Sequence, residues 1–101
     1  VDLPHVVTGD RTIKSDPAYK YVYELRRDGR VVYVGITGNP RARKGTYEGR
    51  RRLRANHNDD IRRTDKMILI DYLPTKKARK KERRLIEKYG LDNLANVSPG
   101  G

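Results

Sequence analysis

The chain has 101 residues, room for one domain that buries roughly two thirds of the surface its unfolded form would expose. It contains no Phe, Trp or Cys and a single Met, so disulfides and thiolate metal sites are excluded and the core must come from Leu, Ile, Val, Ala and seven tyrosines. A net charge of +11, from 24 Lys and Arg against 13 Asp and Glu, attracts polyanions, and no apolar run approaches the roughly 20 residues that span a bilayer, which favours nucleic acid over membrane as the partner.

Residues 1–18 (VDLPHVVTGDRTIKSDPA) show no sustained period and carry Pro4, Gly9 and Pro17. They read as an arm or linker, with room for one short strand, ahead of a domain over 19–101. The chain opens on Val1 without an initiator Met, which suits a processed product or, more readily, a domain cut from a longer protein.

From Tyr19 to Ile36 two β-branched and aromatic runs, KYVYELRR and RVVYVGI, flank Asp28-Gly29 and predict a hairpin. A two-residue Asp28-Gly29 turn would put Tyr23 and Tyr33 on opposite faces, whereas a three-residue Arg27-Asp28-Gly29 loop would place them directly across from each other. The second register gives the cleaner division: Tyr21, Tyr23, Val31, Tyr33 and Gly35 on one face, Val22, Val32, Val34 and Ile36 on the other. Paired tyrosines are also an ordinary cross-strand contact. Gly35 adds weight to a functional reading, because a strand glycine often marks a close approach by another group.

Residues 40–63 mix arginines with small residues and predict one or two short helices. Lys66–Leu73 (KMILIDYL), ended by Pro74, reads as a buried central strand. Thr75 can cap a helix running to Tyr89, with Gly90 placed to stop it. The expected fold is therefore α+β, a small three-stranded antiparallel sheet flanked by helices.

In the last helix Ala78, Leu85, Ile86 and Tyr89 form an apolar stripe, and Glu82 falls inside it. With Ala78 as origin, Glu82 lies at about 40°, between Tyr89 at about 20° and Ile86 at about 80°, whereas Glu87 points the other way. An inward carboxylate needs a charged partner or a metal ion, and both readings stay open: one of the many arginines, or a divalent cation. The outer face, Lys76, Lys77, Arg79, Lys80, Lys81, Arg83 and Arg84, is a solvated charge run or a track for a phosphate backbone.

Two tyrosine-bearing strands, then Arg43, then a glutamate inside a helix resemble the GIY-YIG nuclease family over roughly residues 19–97. The first motif stands here as Tyr21-Val22-Tyr23 and the second as Tyr33-Val34-Gly35. Within GITGNPRARKGTY, Arg43 follows Tyr33 by ten residues and Tyr47 comes four later, as in the family. Glu82 in KKERRLIEKYG occupies the place of the family's metal-binding glutamate, and Asn96 in LANV that of its C-terminal asparagine, with Asn93 as a rival. Tyr21 replaces the first motif's glycine, and Ile36 stands where some relatives carry lysine.

The resemblance implies a GIY-YIG-like fold and an endonuclease that hydrolyses phosphodiester bonds, in DNA rather than RNA. It implies that Glu82 binds one Mg²⁺ or Mn²⁺ ion and that Arg43 holds the phosphate. Tyr23 and Tyr33 would position the attacking water, one of them taking its proton. A free phenol has a pKa near 10, so basic surroundings that favour phenolate would help. Tyr47 and Asn96 would support the site, each with ordinary packing as the alternative. Arg41, Lys44, Arg50, Arg51, Arg52 and Arg54 are candidate contacts to the nucleic-acid backbone. His57 is a further candidate, although a lone histidine is more often structural.

A non-catalytic basic binding module would share the charge without the chemistry. Restriction, homing and repair enzymes of the family usually add a separate DNA-recognition domain. Beside these settings, the chain looks similar to the toxic C-terminal domains of secreted bacterial competition proteins, delivered to the bacterial cytoplasm. There an acidic immunity protein would be the partner, steered by the +11 charge. A monomer is expected.

Overall fold

The computed structural model of the chain describes residues 3–8, 16–48 and 64–94, without the side chains of 46–48. Its elements in chain order are β1 (His5–Val6), β2 (Tyr19–Arg27), β3 (Arg30–Thr37), α1 (Pro40–Glu48), β4 (Lys66–Pro74), α2 (Thr75–Tyr89) and a 3₁₀ turn (Leu91–Asn93). One antiparallel sheet has the order β1-β4-β2-β3. The run KMILIDYL is thus an interior strand, as its continuous apolar character predicts. The sheet is α+β as expected but has four strands rather than three. Its extra strand is the two-residue β1, which pairs His5 with Leu69 and Val6 with Ile68. So short a strand has no readable period, yet it carries Val7 into the core, where that side chain is 2% exposed.

The hairpin register differs from the favoured one. Asp28 and Gly29 both have positive φ, 53° and 77°, and Arg27 pairs with Arg30, the two-residue primed turn whose twist matches that of the strands. Beyond it the pairing shifts: Arg26 faces Val31 but Leu25 faces Tyr33, leaving Val32 as an extra residue on β3. Tyr23 therefore sits opposite Gly35. Tyr23 and Tyr33 are diagonal neighbours on one face, their ring centroids 6.2 Å apart and the planes inclined by 33°. The bulge also brings Val32 to the tyrosine face, where it joins Val7, Tyr21, Tyr23, Leu25, Met67 and Leu69 in a core cluster against which Tyr33 and Tyr72 pack. The expected all-aliphatic opposite face thus loses Val32.

Helix α2 contacts β2, β3 and β4. Glu24, next to Tyr23 and so pointing to the other side of the sheet, accepts a 2.6 Å hydrogen bond from the Tyr89 hydroxyl. That bond puts α2 on the face opposite the tyrosine cluster. Thr75 does not cap the helix. Its hydroxyl and its backbone N–H both donate to the Ala18 carbonyl, at 3.1 and 3.0 Å, tying the helix start to the entry of β2. Gly90 ends α2 as expected, with φ 86° and its N–H donated to the Ile86 carbonyl at 2.9 Å. Helix α1 starts on Asn39, whose side-chain oxygen accepts from the Ala42 N–H at 3.1 Å, followed by Pro40 in the first helical position.

Two buried carboxylates have guanidinium partners. Asp65 receives both prongs of Arg27 at 2.8 and 2.9 Å, closing the base of the hairpin onto the start of β4. Glu24, 2% exposed, receives Arg26 at 3.0 and 2.6 Å as well as Tyr89. Burial and the bond to Glu24 push the Tyr89 hydroxyl up to about 12, against the charge of Arg26, so it stays a donor at any physiological pH. Among the described residues no helix is long and apolar enough to cross a membrane.

Candidate active site

β3 is one edge of the sheet, and an open pocket of about 350 Å³ lies beside it. Tyr23, Tyr33, Gly35 and Ile36 of the hairpin, Arg43 of α1, and Arg79, Glu82 and Arg83 of α2 line it. Residues far apart in the chain meet at this edge because the β2–β3 hairpin has the tyrosines on one face and α2 against the other.

Gly35 makes the meeting feasible. A β-carbon built on it would stand 2.5 Å from the Tyr23 hydroxyl oxygen and 2.6 Å from Cζ, so the Tyr23 phenol lies directly over the glycine backbone. This is the close approach that a glycine in a strand suggests. Tyr23 is only 1% exposed and is held in the core cluster, which fixes the direction of its ring.

Glu82 is 4% exposed. Among the described residues nothing donates a hydrogen bond to its carboxylate or forms an ion pair with it, in contrast to Glu24 and Asp65. Burial pushes its pKa up to about 7, and the charges of Arg79 and Arg83 act against that rise. Of the two readings open for an inward glutamate, pairing with an arginine is therefore not realised among these residues. A buried oxygen donor with no partner suits a hard divalent cation, whose remaining ligands would have to be water and phosphate. No cluster of three or more His, Asp or Glu occurs among the described residues.

Four of the six expected catalytic residues, Tyr23, Tyr33, Arg43 and Glu82, are thus brought to one pocket. Arg41 and Lys44 lie half-exposed on α1 and do not line it. Asn93 belongs elsewhere. Its side-chain amide donates to the Tyr89 carbonyl at 2.9 Å and it lines a separate groove with Arg27 and Arg30, so it fills a helix-end role. Tyr47 lies in α1, but its side chain is outside the described part, as are Arg50, Arg51, Arg52, Arg54, His57 and Asn96.

From the sequence, Arg79 and Arg83 belong only to the outer basic face of the helix, and the structure adds them to the pocket lining. The signal for Arg79 was its position three residues before Glu82, which on a helix makes the two side chains neighbours.

Comparison with protein families matches residues 19–96 to the GIY-YIG catalytic domain. Comparison with curated proteins and with solved structures finds no match. The matched span begins at the first tyrosine strand and takes in the hairpin, α1 and the Glu82 helix, so every side chain that lines the pocket comes from it. The chain therefore belongs to the GIY-YIG family, as an endonuclease domain that hydrolyses the phosphodiester bonds of nucleic acid.

Proposed function

We propose that the domain cuts DNA with one divalent cation, Mg²⁺ or Mn²⁺, held by Glu82 in the pocket at the β3 edge. The observation that carries this reading is the Glu82 carboxylate, buried with no partner among the described residues in a pocket shared with two tyrosines and three arginines. When bound there, the cation supplies charge neutralisation at the phosphoryl oxygens and at the departing oxygen.

The protein's own groups supply the rest. Arg43, a permanent cation that α1 brings to the same pocket, holds a non-bridging phosphate oxygen. Tyr23 and Tyr33, side by side, orient the attacking water, and one of them, acting as phenolate, takes its proton as the new P–O bond forms and the old one breaks, the departing oxygen taking a proton from solvent. The fixed Tyr23 ring supports a positioning role, since a water aligned before reaction lowers the barrier by more than an equal but mobile contact would.

Incubating the protein with plasmid DNA and with total RNA, each with Mg²⁺, with Mn²⁺ and with excess chelator, tests this reading. DNA is expected to be nicked and cut with either cation and left intact in chelator. Cleavage that persists in chelator removes the metal from the account, and RNA cut in preference to DNA reverses the substrate.

The +11 charge further supports an acidic neutralising protein as partner, in a secreted-toxin setting. Mixing the domain with the product of the adjacent downstream reading frame should suppress cleavage, and full cleavage in the mixture counts against that setting.

A further inference from the structure

A second open groove, also about 350 Å³, adjoins the catalytic pocket. It is lined by Arg79, Lys80, Arg83, Arg84 and Glu87, so Arg79 and Arg83 are common to both and form the ridge between them. All four cations are exposed. Among the described residues none of the four is ion-paired, whereas Lys81 of the same helix is held to Asp71 at 2.9 Å. Glu87 has the spacing to pair with Arg83 or Arg84 and does so with neither.

Arg79 with Arg83, and Lys80 with Arg84, are two ranks on adjacent strips of the helix, each spanning about 6 Å along the axis. Like charges at this spacing weaken a helix, so the arrangement does not serve α2 itself. A merely solvated face would also have no reason to continue into the catalytic pocket. Three guanidinium groups and one ammonium in two ranks suit the repeating phosphates of one strand, the guanidiniums gripping with two parallel hydrogen bonds and Lys80 acting as a point charge.

Resting on the assignment of the scissile phosphate to the Tyr23–Glu82 pocket, we propose that the nucleic-acid strand leaves that pocket across the Arg79–Arg83 ridge, with phosphates beside the cut bound by Lys80 and Arg84 in the second groove. Contacts of this kind set the register of the strand and read no bases.

The test uses the full chain carrying Glu82→Gln, in chelator, with an end-labelled DNA duplex titrated across a salt series. Adding Lys80→Gln and Arg84→Gln is expected to weaken binding about tenfold and to lower the slope of log affinity against log salt by about 2. The control pair, Lys76→Gln with Lys77→Gln, removes the same charge from exposed positions outside both grooves and should change the slope far less. Equal losses in the two pairs, or no loss in the first, overturn the proposal, because a diffuse field would then explain the binding. Cleavage by the Glu82→Gln protein when Mg²⁺ is restored would sink the catalytic assignment instead, so the two failures are read separately.

Discussion

Replacing Glu82 by glutamine is expected to lower the cleavage rate by about three orders of magnitude while leaving affinity for DNA nearly intact. The amide has almost the shape of the carboxylate but cannot hold a divalent cation as an anion does. Affinity should survive, because it comes from a +11 surface that loses no cation in this variant.

The same substitution should stabilise the metal-free protein, and the sign follows from the raised pKa. In the unfolded chain the carboxyl ionises near its ordinary value of 4.5, whereas in the folded protein it does so at about 7. Between these values the folded state binds more protons, so stability falls as pH rises from 4.5 to 7 and levels off above. The accumulated loss is about 3 kcal/mol, and glutamine does not incur it. At pH 8 in chelator the variant should melt several degrees above wild type, and near pH 4 the two should converge. Equal melting points at pH 8 would mean that the carboxylate is satisfied in solution. An inactive variant that is also less stable would point to a structural role.

Glu82 was legible because a helix has one period and a charged residue inside an apolar stripe violates it openly. The hairpin was only half legible. Asp28-Gly29 announces a turn, yet the pairing of Tyr23 depends on the bulge at Val32, and Val32 looks like any other β-branched strand residue. With the bulge, Val32 joins Tyr23 and Leu25 in one core cluster, a property of the packed sheet rather than of the local sequence. The shared face of the two tyrosines was reached by a three-residue loop in the sequence and by a two-residue turn plus a bulge in the fold.

Glu24 was not read as buried because in an alternating strand a charged residue normally marks the solvent side. Helix α2 covers that side instead and supplies the Tyr89 hydroxyl that makes burial tolerable. Thr75 had the chemistry of a cap but lies within reach of the Ala18 carbonyl, a contact between residues 57 apart that local propensity does not register. The pocket shows the same limit: Tyr23, Tyr33, Arg43 and Glu82 could be nominated one by one, but the place of Arg79 and Arg83 beside them depends on how α2 packs across β2, β3 and β4.

Gly35→Ala is expected to lower kcat about 100-fold, against the simple rule that alanine strengthens a strand by roughly 0.5–1 kcal/mol over glycine. Gly35 has ordinary extended backbone, so conformational preference alone would favour the substitution. The new methyl carbon would, however, stand 2.5 Å from the Tyr23 hydroxyl oxygen and 2.9 Å from Cε2. Something must move, and the ring is confined by the core cluster below and by Tyr33 beside it. A displacement of about 1 Å at the hydroxyl is enough to misplace a water it orients. Overpacking should also lower stability, by about 1–3 kcal/mol before the propensity gain. KM should change little, since the cations that hold the strand are not disturbed. A double-mutant cycle with Tyr23→Phe separates positioning from general damage. If Gly35 acts by aiming the hydroxyl, adding Gly35→Ala to a protein already lacking that oxygen should cost little more in kcat. Additive losses would mean that the alanine distorts the pocket as a whole, and an unimpaired Gly35→Ala single variant would mean that the Tyr23 hydroxyl does not have to lie where it does.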